Sequence, residues 1–530
     1  MRIRVLATTA VAALISTLVV APIATATEFQ GFPMDSNIQA LTIEELVDIP
    51  YSYIVNDKFF RDLNEGKVVE TPEATKFCVE FNTRGCNLNS QSNLSVRSVL
   101  PVCKDVIENC IQGFEVIDKE GKSNPAVFNR IFNGKTFTGL EQLGMPGGSR
   151  PSLWDVPGAM NLGGTEKYVV NAKIDWSYRA GVASVEGFNV SIYAIKENLN
   201  AKYREPGISF GPAWQGVYAS VTETGEINYD GTCVATEAGY CAEKVEFAPG
   251  TRIKLSLKVS NKVTGWLHGR ISKPLIEVTP LNSMFNSLVV GADTVEVPMM
   301  YAKFDKTVES KDFVNQYDNS PYLGRGFFGT NFWRQYYPDN PFASRAVTAL
   351  AASVKDTATE LHTYWNLTSI STGSQNSCLK DSSKLVGFVT TNAMAYSGSA
   401  PTWDGSSLEY KVAGLHYLPD GKTLTSGTYD LAMRSETARC LYGFSKAPIS
   451  ARISVISAEG EQKVATTTLR EKDGWLYLAA YGFTFSAPTI KIKLTQAKAK
   501  KSKSLTCYKG KQSKVIKGVN PKCPAGYKAK

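Results

Sequence analysis

Residues able to do chemistry are few in this chain, and they are scattered. Among its 530 residues the only histidines are His268, His362 and His416, whose separations match no metal-binding spacing such as H-E-x-x-H. Gly207 to Gly211 spells G-x-S-x-G around Ser209. A nucleophile elbow needs a strand before the serine and a helix after it, yet Pro206 and Pro212 flank this one. Gly324, Gly326 and Gly329 spell G-x-G-x-x-G without the strand–helix frame that cradles a dinucleotide. Both patterns are expected to be turns. No catalytic residue, metal site or cofactor is therefore assigned, and the reading leans away from an enzyme. Two carboxylates in a cleft hydrolyse a glycosidic bond without any short motif, which keeps a carbohydrate-active hydrolase as the alternative.

Binding chemistry has three better candidates. In TGWLHGR, Trp266, His268 and Arg270 alternate; on a strand they share one face, where an aromatic, a titratable ring and a guanidinium suit a sugar or a carboxylate. The bland reading is a solvent-facing ladder with Trp packed on Arg. The second candidate is Asp312 to Arg345, crowded with aromatics, Asn, Gly and Pro. Tyr322, Trp333, Tyr336 and Tyr337 with Arg325 and Arg334 would make a glycan platform, set against a bridging loop that buries its own aromatics.

The third candidate is the C-terminal stretch from Lys498 to Lys530. It holds eleven lysines, no acidic residue, and the pair Cys507 and Cys523. Lys498, Lys500, Lys501, Lys503, Lys509, Lys511, Lys514, Lys517 and Lys522 are expected to attract polyanions through screened, sequence-indifferent forces. Closing the loop between the two cysteines would stabilise it by about 3 kcal/mol in the loop-entropy model. The net charge of +9 belongs to this end. Without the tail lysines and the N-terminal Arg2 and Arg4, the body from Thr27 to Ala497 carries −4. That distribution argues against a nucleic-acid-binding core, which carries its positive charge on the fold.

Residues 1–26 read as a secretory signal: a basic MRIR, an apolar run, and Ala24-Thr25-Ala26 as a cleavage site. No other segment is apolar enough to cross a membrane, so no transmembrane helix is expected in the mature chain. Ten cysteines, Cys78, Cys86, Cys103, Cys110, Cys233, Cys241, Cys378, Cys440, Cys507 and Cys523, read as disulfides in an exported chain. The first four admit three connectivities. If the segment between Cys103 and Cys110 were helical, their α-carbons would stand about 10 Å apart, too far to bond.

Hydrophobic alternation makes the chain mainly β. The expected organisation after the signal is a disulfide-rich mixed region over 27–160, which includes short amphipathic runs of helical spacing in LTIEELVDI and YIVNDKFFRDLNEG. An antiparallel β-sandwich-like domain follows over 165–300, and then an aromatic and helical connection over 301–375. A second sandwich over 376–497 and the Lys-rich tail over 498–530 complete it. Gly144 to Gly164, rich in Gly and Pro, is read as a surface connection at a domain edge. Cys233 and Cys241 bracket a hairpin with Gly239 at its turn. Ala343 to Trp365 is the clearest helix, with Ser344 as its N-cap. Cys378 and Cys440 would staple the two sheets of the last sandwich, and ARCLYGF would be one of its strands.

Several stretches resemble uncharacterised exported proteins of high-GC Gram-positive bacteria. The similarity is clearest at CLYGFSKAPISARISVIS (Cys440 to Ser457), EKDGWLYLAAYGFTFSAPTIKIKL (Glu471 to Leu494) and TCYKGKQSKVIKGVNPKCPAGYKAK (Thr506 to Lys530). The resemblance implies residence outside the cell, secreted or at the cell surface, and brings no site with it. The expected partner of the tail is accordingly an anionic wall polymer or lipid headgroups, with a glycan as the alternative ligand of the body and no nucleic acid.

Overall fold

The computed structural model describes residues 37–45, 50–56, 78, 80–83, 86–89, 92–104, 109–199, 220–221, 227–228, 233–237, 239–319, 324–325, 333–372, 376–445, 449–457, 460–462, 466–485, 489–496, 503–518 and 521–529. It is mainly β, with several antiparallel sheets layered like sandwiches. Ser209 and its flanking glycines lie outside the described residues, as do Gly326 and Gly329.

A fourteen-stranded sheet organises the body. Its main path runs Tyr53–Asn56, Asn93–Val99, Lys167–Arg179, Val182–Asn198, Asn366–Ile370, Gly265–Arg270, Leu385–Thr391, Gly427–Arg434, Trp475–Phe483 and Thr466–Lys472. Strands from both halves of the chain thus hydrogen-bond into one surface. The halves meet at Gly265–Arg270, antiparallel to Asn366–Ile370 on one side and parallel to Leu385–Thr391 on the other.

Period-two alternation along that joining strand feeds two cores. Leu267 and Ile271 enter a large cluster with Leu255, Leu257, Leu288 and Val290. The latter four come from the five-stranded sheet that includes Arg252–Ser260 and Phe285–Asp293. Trp266 points the other way, into a cluster with Tyr410, Val455, Ile490 and Ile492, which belong to the six-stranded sheet of the C-terminal half. The central sheet is therefore buried on both faces at the join, and that burial holds the register there.

Three α-helices are present among the described residues: α1 (Lys311–Asn319), α2 (Pro341–Leu350) and α3 (Ser435–Tyr442). The helix expected over Ala343 to Trp365 is shorter and starts earlier. Asn340, not Ser344, caps it by accepting from the Phe342 N–H at 2.8 Å, and Pro341 occupies its first turn, where a missing N–H costs nothing. Lys355 and Asp356 turn left-handed, with φ of 54° and 53°, and no helix passes two such residues. Glu360–Tyr364, carrying His362, then pairs antiparallel with Val295–Met299 as a strand.

Other expectations are corrected in the same way, by partners that short-range pattern does not see. Ile38–Ile43 and Tyr53–Asn56 are strands, not helical turns. Gly144 to Gly164 is not simply a surface connection: Ser152–Asp155 runs through it as a strand paired on both sides, with Leu153 and Trp154 buried. ARCLYGF belongs to α3, ended by Gly443 at φ 63°.

The ten cysteines form five sequential disulfides: Cys78–Cys86, Cys103–Cys110, Cys233–Cys241, Cys378–Cys440 and Cys507–Cys523. Cys110 opens a strand, and its α-carbon stands 4.9 Å from that of Cys103, within reach of a disulfide. Cys233–Cys241 closes the expected hairpin, with Gly239 at φ 74°. Cys378–Cys440 ties a turn to α3 rather than one sheet to another.

Candidate functional site

Trp266, His268 and Arg270 do share a face, but not a solvent-facing one: they are 1%, 0% and 0% exposed. The indole lies flat over Gly387, where a Cβ would come within 2.3 Å of the ring, and its Nε1 donates to the Leu379 carbonyl at 3.1 Å. His268 stacks on Tyr396 with centroids 3.8 Å apart and planes 10° from parallel. Among the described residues neither imidazole nitrogen has a hydrogen-bond partner. Burial, reinforced by the neighbouring Arg270 charge, pushes His268 well below the ordinary histidine range and keeps it neutral.

Arg270 does hold a carboxylate, and the chain supplies it. Its Nε donates to Glu45. Nη1 donates to the carbonyls of Thr391 at 3.0 Å and Ala393 at 2.6 Å, and the guanidinium lies 4.5 Å from the Tyr396 ring centre. The chemistry read from TGWLHGR is present, turned inward as a structural clamp rather than outward as a ligand site.

Sequence reading missed the polar cluster beside it. His362 is held on both nitrogens, Nδ1 by Glu246 and Nε2 by Glu360, each at 2.9 Å. Burial alone would lower His362, but the two carboxylates outweigh it and raise it above the ordinary value. Glu246 also accepts from the Thr363 N–H, and Lys244 sits 3.7 Å over the Tyr364 ring. With both nitrogens occupied, His362 offers no base to a substrate; the cluster is an ion-paired clasp between strands. Its signal was the i, i+2 pair Glu360 and His362, hidden by the helix expectation. His416 is likewise taken, by Asp356.

Among its described residues the aromatic run largely buries itself. Tyr317 and Tyr336 are 0% exposed and Phe342 5%, with the rings of Tyr336 and Phe342 4.9 Å apart. Arg334 caps this core, 4.1 Å over the Tyr317 ring and donating to its carbonyl. Tyr336 thus offers no platform to a ligand, and Tyr337, 44% exposed, is the exception. Tyr322 lies outside the described residues, as do the side chains of Arg325 and Trp333.

The tail is where charge meets solvent. Lys503–Lys509 and Gln512–Gly518 form an antiparallel hairpin, and Lys528–Ala529 pairs with the first strand. This three-stranded sheet is separate from the others. Cys507 is completely buried and bonded to Cys523, while Lys509, Lys511, Lys514, Lys517, Lys522 and Lys528 are exposed. A sheet this small buries too little area for a core of its own, so the disulfide is what keeps it compact. Lys498, Lys500 and Lys501 lie outside the described residues.

No family model, curated protein or solved structure matches this chain.

Proposed function

We propose that this is an exported cell-envelope protein with a structural or adhesive role, held to anionic wall polymer by its C-terminal lysine module. The observation that carries the reading is the separate disulfide-closed sheet at 503–529, whose exposed lysines face no acidic residue within the module. Five disulfides suit an oxidising compartment. Among the described residues no helix is long and apolar enough to cross a membrane. The charged side chains singled out in the body are engaged with one another, as Arg270 is with Glu45 and His362 with Glu246 and Glu360. The alternative, a glycan binder or carbohydrate-active hydrolase working through 312–345, loses support from the burial of Tyr317 and Tyr336.

Retention on purified cell walls tests the reading. The full chain is expected to bind and to be released by salt, because exposed charges are screened over about 10 Å at 0.1 M. A chain lacking Lys498 to Lys530 is expected to stay in solution. Equal retention of the two would overturn the proposal.

A further inference from the structure

The two faces of the tail sheet differ, and the difference points to a particular kind of polymer. Leu505, Cys507, Lys509, Gln512, Lys514 and Ile516 share one face by register. Part of that face is covered, although Lys509, Gln512 and Lys514 keep exposed side chains. Cys507 is bonded to Cys523, the Tyr527 hydroxyl meets Gln512 at 3.3 Å, Lys514 lies 5.7 Å from the Tyr527 ring centre, and the Lys509 stem runs beside Gly526.

The opposite face is open. Thr506 pairs with Val515, and Tyr508 with Ser513 on one side and Lys528 on the other. Lys517 stands two residues beyond Val515 on the same face. Tyr508 is 42% exposed and Val515 58%. Read across the three strands, the order is Lys528, Tyr508, Val515, Lys517: a cation at each end and an aromatic and an aliphatic surface between. From strand spacing and rise, the terminal lysine α-carbons stand about 16 Å apart. A sheet serving only as a charged solubilising tail gains nothing from an exposed tyrosine and valine at its centre.

We infer that this open face docks an anionic glycopolymer, the lysines taking phosphate or carboxylate groups and Tyr508 and Val515 stacking on the sugar between them. This rests on the anchoring role proposed above and adds the partner class and the residues. Charge complementarity favours such a polymer: the module from Lys498 to Lys530 has eleven lysines and no acid. A lipid surface is disfavoured by size, because membrane-lying segments bury a continuous apolar face, whereas this one has two apolar side chains flanked by lysines.

The full chain and its Tyr508→Ala/Val515→Ser and Lys517→Gln/Lys528→Gln variants would be compared on three probes. These are a polyol-phosphate polymer bearing hexose substituents, inorganic polyphosphate, and phosphatidylglycerol vesicles. Protection of the Cys507–Cys523 module from proteolysis would verify that each variant keeps its fold. Loss of the aromatic and aliphatic pair is expected to weaken glycopolymer binding by about tenfold, the scale of one stacking contact, and to leave polyphosphate binding within about twofold. The lysine pair should weaken both. Glycopolymer binding unchanged by Tyr508→Ala/Val515→Ser would overturn the docking face while leaving the electrostatic anchor standing. A loss confined to vesicles would overturn it in favour of lipid. Failure of the anchor itself is read separately, from wall retention of the tail-deleted chain.

Discussion

The Glu45 carboxylate accepts a hydrogen bond from Nε of Arg270, 225 residues further along the chain, and the arginine side chain is completely buried. The pair pins the segment after strand Ile38–Ile43 against the strand that joins the two halves of the central sheet. Because Arg270 also donates to Thr391 and Ala393, one side chain ties three separate segments. Fully buried and charged, it depends on all of those partners.

Breaking that pair is expected to be costly, and replacing it wholesale less so. Glu45→Ala leaves a buried guanidinium without its counter-charge and should destabilise by about 3–5 kcal/mol. Glu45→Ala/Arg270→Leu removes the uncompensated charge and is expected to cost less than the sum of the single changes. Denaturant unfolding of the four-member cycle checks this. Additive behaviour, or a Glu45→Ala cost under about 1 kcal/mol, the level of an exposed pair, would remove the clamp from the account of stability.

The buried His268 and the half-buried His362 should bend the stability curve in opposite directions. His268 is depressed in the folded state, so below the ordinary value of 6.5 the unfolded chain takes up a proton that the folded chain refuses. Stability from His268 is intact above that value and lost as pH falls through it toward the depressed one. His362 is raised, so its contribution is intact below 6.5 and lost as pH rises through the raised value. Subtracting the His268→Phe curve from wild type should leave a slope on the acid side alone, and subtracting His362→Gln a slope on the alkaline side alone. Flat differences on those sides, from thermal or urea unfolding at stepped pH, would contradict the assignment.

How much of this was legible in the sequence depends on the range of the interactions. Strands with strict alternation, such as Arg252–Ser260, and the hairpin of Cys233 and Cys241 were readable, because period and turn residues act locally. That Trp266, His268 and Arg270 share a face also followed from period two. Whether that face meets water did not, since the covering residues, Tyr396 and Glu45, are distant in sequence. The run from Ala351 to Trp365 carries fair helical spacing, and pairing with Val295–Met299 overrode it. The Ser435–Tyr442 helix was hidden for the opposite reason: CLYGF has strand-like composition, and the telling residue was Gly443 at the C-terminus.

Asp430 is a carboxyl whose ionisation opposes folding. It is 4% exposed; burial raises it to about 6, although hydrogen bonds from Tyr481, the Lys273 N–H and Thr390 pull the other way. With its folded value above the unfolded 3.8, stability from Asp430 is full below 3.8 and is lost as pH rises through about 6. Relative to Asp430→Asn, the wild type is expected to lose about 2 kcal/mol between pH 4 and pH 7. Paired unfolding curves measure that difference directly, and one that stayed constant across the interval would show that the carboxyl is not held neutral by its surroundings.

Two of the five disulfides should act on different parts of the chain, Cys378–Cys440 on the body and Cys507–Cys523 on the tail alone. Cys378–Cys440 closes 62 residues and ties α3 to the turn at Asn376 to Leu379, so replacing both with serine should cost the body about 4 kcal/mol. Cys507–Cys523 closes 16 residues within a sheet that pairs with no other. Replacing that pair should leave the main thermal transition unmoved. The lysine module should instead become sensitive to trypsin, because its exposed lysines then lie on a chain that no longer holds its fold. Calorimetry with limited proteolysis separates the two cases. A fall in the main transition on loss of Cys507–Cys523 would mean that the tail is part of the body, and removing it could then release the chain from a wall by unfolding rather than by loss of charge.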